Sequence, residues 1–171
     1  MAIDMRPDLL GKEFEVYRVN VFELFIKGGD IGVDNDQVKL ALRRVSFPEL
    51  AVDSFDVHFY NSIIKLAAKQ SSLKDFTAEF DDILDNKVAA SLLRWSRRAY
   101  DPETGKVGLA KNYKINATLR IGSPDGETTQ DWKLLGVWVK SVSFPDGDMT
   151  SSGPVRITAT FAADFAIPEL K

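Results

Sequence analysis

Apolar and polar residues alternate in single steps around Phe76, Ala78 and Phe80, with Asp75, Thr77, Glu79 and Asp81 between them. A period of two with one apolar side predicts a strand in a sheet that has a single dry face. Directly downstream the period changes. Val88, Leu92, Trp95 and Ala99, with Ala89 beside them, recur at helical spacing. Asp85 is the expected N-cap, and Asp81 and Asp82 sit just upstream. Arg94, Arg97 and Arg98 fall in the last turns, where the helix dipole favours cations. Tyr100-Asp101-Pro102 stops the helix, and Gly105 and Gly108 open the exit. This strand–helix–turn block, from Leu73 to Gly108, is the stretch around which the rest of the chain is organised.

Residues 1–12 are a polar lead-in, expected to be mobile on their own. Glu13 to Lys27 reads as one long strand or two, rich in Val, Phe and Ile but imperfectly alternating. Gly28-Gly29-Asp30 predicts a turn that continues from Gly32 to Asp36. Val38, Leu40 and Leu42 alternate with Lys39, Ala41 and Arg43, which predicts a second strand, broken at Phe47-Pro48-Glu49. Ala51 to Tyr60 is mixed. Ile63 to Ala68 is a strand whose exposed apolar residues would suit contact with another copy of the chain. Tyr113, Ile115, Ala117, Leu119 and Ile121 alternate with Lys114, Asn116, Thr118 and Arg120, and Pro124-Asp125-Gly126 predicts a hairpin turn. Trp132 to Phe144 is nearly continuous apolar strand, which predicts burial on both sides, with Trp132, Leu134 and Trp138 on one dry face. Turn signals at Pro145-Asp146-Gly147 and Ser151-Ser152-Gly153-Pro154 precede a last alternating strand, with Val155, Ile157, Ala159, Phe161, Ala163 and Phe165 on its apolar side. The tail from Ala166 is short. With no repeat and no low-complexity linker, residues 1–171 are expected to form one domain. The predicted fold is mainly β: two packed antiparallel sheets, a β-sandwich or open barrel, with one flanking α-helix.

Composition narrows the function. The 171 residues are 44% hydrophobic and 27% charged, ordinary for a globular chain with a sizeable core. No apolar run is long enough to span a bilayer. The opening MAIDMRPDLLGKEF lacks the apolar centre of a signal peptide. Cysteine is absent, which removes disulfides and thiolate zinc sites and fits a cytoplasmic origin. Lys and Arg number 22 against 25 Asp and Glu, a net charge of −3, without the basic surplus of a duplex-gripping protein.

Few residues invite chemistry. His58 is the single histidine, and no G-x-S-x-G elbow accompanies it, so a strand or loop histidine is favoured over a triad member or metal ligand. No phosphate-cradling glycine loop occurs. Asp81, Asp82 and Asp85 lack calcium-loop spacing, and helix capping accounts for them better. No catalytic residue, metal site or cofactor is expected. Trp95 belongs in the core. Asp75, Thr77, Glu79 and Asp81 remain the most interesting cluster, either an ordinary wet sheet face or the lining of a channel.

The same block carries a family likeness. Lys74, Asp75, Phe76, Phe80 and Asp82, then Trp95, then Asp101, Pro102, Thr104, Gly105 and Lys106, followed by Trp132-Lys-Leu-Leu-Gly136-Val-Trp138 and an alternating strand to Asp164, resemble the tail tube proteins of contractile-tailed bacteriophages. The likeness spans roughly residues 40 to 165, and the segment to Val33 departs most. It implies a structural virion protein, not an enzyme, with a fold related to the type VI secretion tube. Hexameric rings would stack into a tube inside a contractile sheath, bounded by baseplate and tail-terminator proteins. Genomic DNA would pass transiently through the bore. The subunit would be made in the host cytoplasm and end in the virion. On this resemblance Asp75, Thr77, Glu79 and Asp81 are candidates for the lumen wall. A rival lining is Lys114, Asn116, Thr118 and Arg120 with Arg156, Thr158 and Thr160. Lys87, Arg94, Arg97 and Arg98 are candidates to face the sheath. Two alternatives stand beside it: the tube of a phage-derived injection device of tailocin or type VI kind, and a small hydrolase or ligand-binding β-barrel using His58.

Overall fold

A computed structural model of the chain describes residues 20–28, 32–82, 87–123, 129–147, 149–150 and 152–169. The expected lead-in at 1–12, the start of the first strand, the Asp85 cap and the Pro124-Asp125-Gly126 turn lie outside these residues.

Eleven strands and three helices follow in order among them: β1 (Phe22–Lys27), α1 (Asn35–Ala41), β2 (Leu42–Val45), β3 (Val52–Phe59), β4 (Ser62–Gln70), β5 (Phe76–Asp81), α2 (Lys87–Ala99), β6 (Tyr100–Asp101), β7 (Lys106–Val107), α3 (Ala110–Tyr113), β8 (Ile115–Gly122), β9 (Thr129–Ser143), β10 (Arg156–Ala162) and β11 (Phe165–Glu169). All strand pairs are antiparallel. The main path runs β1-β8-β9-β10-β5-β2, with β11 also on β9. β9 therefore belongs to two sheets. Its first half lies between β8 and β11; its second half pairs with β10. The inner faces meet in one core: Leu24, Ala117, Leu119 and Leu134 from the first sheet, Phe76, Ala78, Ala159 and Phe161 from the second.

Helix α2 closes that core. Val88, Leu92 and Trp95 are buried, as the helical period predicts. Trp95 packs on Phe161 with ring centroids 5.8 Å apart, and Phe161 stacks on Phe76 at 5.2 Å. The indole Nε1 donates to the Tyr113 carbonyl at 2.7 Å, so one side chain ties α2 to the entry of β8.

Four expectations are corrected. Val38 to Leu42 is helical up to Ala41, not a strand. Val38 and Ala41 are buried while Leu40 is 69% exposed, the three-residue spacing of a helix face. Asp34 caps it by accepting from the Asp36 N–H at 3.0 Å. Asn35 accepts from the Ile26 N–H (2.8 Å) and donates to the Ile26 carbonyl (2.9 Å), imitating a strand partner on the border of β1.

The dry face of Trp132, Leu134 and Trp138 does not run through. Leu134, Val137 and Val139 are the buried residues of β9. A bulge at Leu135–Gly136 inverts the alternation, and the register on β8 slips between Ile115 and Ala117. Trp138 instead meets Tyr113 edge-on at 5.7 Å.

Phe165 is exposed, because the apolar alternation of β10 ends at a bend at Asp164. The expected tail from Ala166 is strand β11, with Ala166 buried. Arg156, Thr158 and Thr160 lie opposite Asp81, Glu79 and Thr77, so they share the face of β5.

Gly136 sits at φ 66°, and a Cβ there would lie 2.2 Å from Asp164 Oδ2. The Asp164 N–H donates to the Leu135 carbonyl (2.9 Å), and Lys114 Nζ donates to both Asp164 carboxylate oxygens (2.8 Å). Gly136→Ala is expected to destabilise the chain by roughly 2 kcal/mol, through positive φ and displacement of Asp164. Urea unfolding of the dispersed chain measures it; an unchanged midpoint refutes the corner's role.

Candidate functional site

The candidate lining begins with the pleat of β5. Phe76, Ala78 and Phe80 are buried, so Asp75, Thr77, Glu79 and Asp81 must share the opposite side. Register then adds neighbours that no local pattern reveals. β10 contributes Arg156, Thr158 and Thr160, β9 contributes Ser141 and Ser143, and β2 contributes Arg44 opposite Glu79.

This face is not a wall of bare carboxylates. Asp75 accepts from Lys140 Nζ at 2.5 Å. Glu79 pairs with Arg44 at 3.6 Å. Asp81 holds Arg43 at 2.5 Å and Arg156 at 3.2 Å. Thr77 is bonded to the strand beyond: its N–H donates to Ser46 Oγ at 2.7 Å. Four cations thus stand against three carboxylates. Each ion pair is worth little alone, since the partners are partly solvated. Together they leave a face of paired charges and hydroxyls with no exposed large apolar side chain among the strand residues named.

Arg43, then Arg156, hold the Asp81 carboxyl below its ordinary range despite some loss of hydration. A depressed carboxylate contributes stability that is present above its unfolded value and lost as pH falls through the folded one.

The outer face of the other sheet differs. Arg120 donates to both Asp131 oxygens (2.8 and 2.9 Å), and Lys133 pairs with Glu169. These pairs flank a cleft of 380 Å³ that Phe25 also lines. Phe25, Phe165 and Ile167 are exposed on this sheet. Phe165 and Ile167 lie opposite Leu135 and Lys133, and Phe25 opposite Thr118, which places them on the side of the charged pairs.

The sheath-facing candidates lie on α2. Lys87, Arg94, Arg97 and Arg98 do not converge on the polar face of β5. Arg97 reaches Glu103 at 3.4 Å, across the turn that follows the helix. That turn is tightly specified. Asp101 accepts from the Glu103 N–H (3.1 Å) and the Thr104 hydroxyl (2.6 Å), and these two bonds, the hydroxyl first, hold its carboxyl below the usual range. Gly105, at φ 67°, donates to the Asp101 carbonyl at 2.8 Å.

The β3–β4 pair is only half visible in the hydrophobic pattern. Ala51 to Tyr60 was mixed in pattern, yet Val52–Phe59 pairs with Ser62–Gln70 in a two-stranded sheet of its own. Its base is pinned by Ser71 to Ala51 and Asp53 and by Lys74 to Glu49. Phe55, Val57 and Phe59 lie opposite Leu66, Ile64 and Ser62, so one side of the ribbon is apolar. Asp56 and His58, opposite Lys65 and Ile63, make the other side. None of these residues joins the core, and Phe59 is 63% exposed. His58 is exposed on this ribbon and does not line the cleft. Among the described residues no cluster of acidic and histidine side chains could hold a metal ion, and no helix is long and apolar enough to cross a membrane.

No protein-family model matches the sequence, and no curated protein matches it either. Solved structures do. The chain superposes on a chain of the sheath–tube complex of an extracellular contractile injection system (PVC, extended state) with TM-score 0.69 and 14% identity, covering 97% of this chain and 99% of that one. A chain of the tube-terminating cap of the anti-feeding prophage gives 0.65 at 12% identity, covering 94% and 97%. The tail tube of SPP1 gives 0.52 at 9% identity, covering 91% and 80%. The chain shares its fold with chains of contractile injection particles and of a phage tail tube, and among the described residues it is an open antiparallel structure and not a closed barrel.

Replacing Asp81 by Asn is expected to cost roughly 1 kcal/mol near neutral pH. The deficit should begin to shrink as pH falls below the ordinary carboxylate value, about 3.9, and vanish only as pH falls through the lower value of the folded chain. Urea midpoints of both chains across pH 3 to 7, taken as about one step per pH unit, check this; a constant gap would exclude the ion-pair explanation.

Proposed function

We propose that the chain is a structural tube subunit: copies close into six-membered rings, and the rings stack into the inner tube of a contractile particle, inside a sheath and between a baseplate and a terminator. The observation that carries this is the β3–β4 ribbon, a two-faced hairpin with its apolar side in solvent. A lone hairpin is marginal in water. Each of its large side chains would gain roughly 1.5–3 kcal/mol by full burial. Exposed strand borders add the same demand: among the described residues β1 and β2 each pair on one side only. A ring of copies satisfies both needs.

The bore is the face carrying Asp75, Thr77, Glu79 and Asp81. Its support is contrast: this side of the sheet is polar throughout, whereas the other sheet exposes Phe25, Phe165 and Ile167, which water does not favour. A conduit must not hold what passes. Each phosphate gripped by a Lys or Arg releases counterions and gains salt-dependent affinity. Here Arg43, Arg44, Lys140 and Arg156 already have carboxylate partners, so a passing polyanion must break an ion pair to be held. Phage DNA and the cargo of an injection device both meet that condition. Likeness across nearly the whole chain to an injection particle favours the second reading of the cargo. Lys87, Arg94, Arg97 and Arg98 on α2 then face outward to the sheath.

Electron microscopy of the concentrated protein tests the assembly. Rings or tubes are expected, with Thr77→Cys reachable by a small thiol reagent but not by a bulky one in intact tubes. Labelling of Thr77→Cys by both would move the bore elsewhere. Phe59→Ser with Leu66→Ser is expected to abolish tubes while shifting the unfolding free energy by less than ~1 kcal/mol. Monodisperse single copies of the unaltered chain at high concentration would overturn the proposal.

A further inference from the structure

Strand register lays out the outward side of the first sheet in rows. Phe25 stands opposite Thr118, which stands opposite Lys133, and Lys27 follows Phe25 on the same side of β1. Glu23, Arg120, Asp131 and Glu169 form the row before them. Together these residues enclose the cleft of 380 Å³. Small-molecule sites occupy about 300–1,000 Å³.

Most charged groups of the cleft are already engaged. Glu23 pairs with Lys39 at 2.6 Å, Arg120 grips both Asp131 oxygens, and Lys133 pairs with Glu169. Two groups are left over. Among the described residues Lys27 has no carboxylate partner, and the half-buried Thr118 hydroxyl has no hydrogen-bond partner. Both stand next to the exposed ring of Phe25, Lys27 along β1 and Thr118 across on β8. Two unpaired donors beside an apolar ring suit one negative charge carried on an apolar body. A cation finds no free carboxylate here. A phosphate would bring a second negative charge toward Glu23, Asp131 and Glu169, with no second free cation to offset it.

We infer that this cleft is a binding site for a small organic acid. Its carboxylate accepts from Lys27 Nζ and from the Thr118 hydroxyl, and its aliphatic or aromatic body lies on Phe25. The three flanking ion pairs hold the walls and take no part in recognition. The site uses neither the polar face of β5 nor the β3–β4 ribbon, so it does not depend on the tube reading.

The probe is 3-phenylpropanoate, with 3-phenylpropanamide as its uncharged counterpart and phenyl phosphate as the doubly charged one. Backbone amide signals of the full, dispersed chain, followed by NMR near neutral pH, give the affinities. Saturable binding of the propanoate is expected, with shifts centred on Phe25, Lys27 and Thr118. The amide and the phosphate should each bind at least about tenfold more weakly. Lys27→Gln should weaken the propanoate about tenfold, or ~1.4 kcal/mol. Thr118→Val should weaken it about threefold, as the loss of one hydrogen bond predicts. Lys65→Gln, on the ribbon, should change nothing. Unchanged urea midpoints separate lost binding from lost folding. Shifts that never saturate, equal affinity for the uncharged amide, tighter binding of the phosphate, or full affinity in Lys27→Gln would each overturn the inference. So would binding that disappears when copies assemble, which would make the cleft an interface between them. The dispersed chain binds the probe whether or not it can form tubes, so failure here and failure of the tube reading are separate results.

Discussion

The architecture depends on β9 serving two sheets at once. A pleated strand presents alternate residues to opposite sides, so a strand passing between two sheets must break its alternation to keep apolar residues inward. Here the break costs one residue, the bulge at Leu135–Gly136, after which Val137 and Val139 take over from Leu134. The neighbouring strand breaks at the same level, where β10 gives way to β11 at Asp164. Glycine is required because its backbone is left-handed and because Asp164 occupies the space a side chain would need. Lys114 then clasps Asp164 from the start of β8. Three strands turn together at one corner, and the core forms in the angle between them.

That geometry determines which polar residues become neighbours. The acidic side of β5 reads as a negative stripe in isolation. In the sheet it is interleaved with Arg44 from β2 and Arg156 from β10 and bordered by Lys140 from β9. The consequence is a surface on which every one of those carboxylates has a cation beside it, with one cation in excess. On the proposed tube, repulsion among unpaired carboxylates would push neighbouring copies apart, and attraction of a polyanion to bare cations would trap it. Pairing at each position moderates both effects.

The parts legible in the sequence were those in which one period ran unbroken and nothing distant could alter it. The block from Phe76 to Gly105 is of this kind: a strand of period two, a helix of period three to four, and a turn closed by its own Asp101 and Thr104. α1 was missed because Val38, Leu40 and Leu42 fit a strand as well as Val38 and Ala41 fit a helix. The deciding signals were the cap at Asp34 and the side chain of Asn35, which binds a residue nine positions away. Gly136, isolated in an apolar run, is the kind of position at which strands bulge, although the hydrophobic pattern carries one strand straight through it. The reversal of Trp138 follows from that bulge. The cations of the β5 face lie 35 to 75 residues from their carboxylates or on separate strands, so only register brings them together. The apolar side of β3–β4 was visible in part, at Ile63 to Ala68. Its sorting into two faces required the pairing with Val52–Phe59.

The β3–β4 ribbon contributes no side chain to the interior, and its base is fixed by only a few polar links. The residues that keep a single copy folded and the residues that ribbon offers to others are therefore different sets. Selection can act on one without taxing the other. In the assembly proposed above, drift in the ribbon would adjust the strength of association, or the choice of compatible subunits, while the hinge at Gly136 and the aromatic stack beneath α2 persist. Such separability leaves the exposed ribbon free to diverge in sequence while one recognisable backbone is kept.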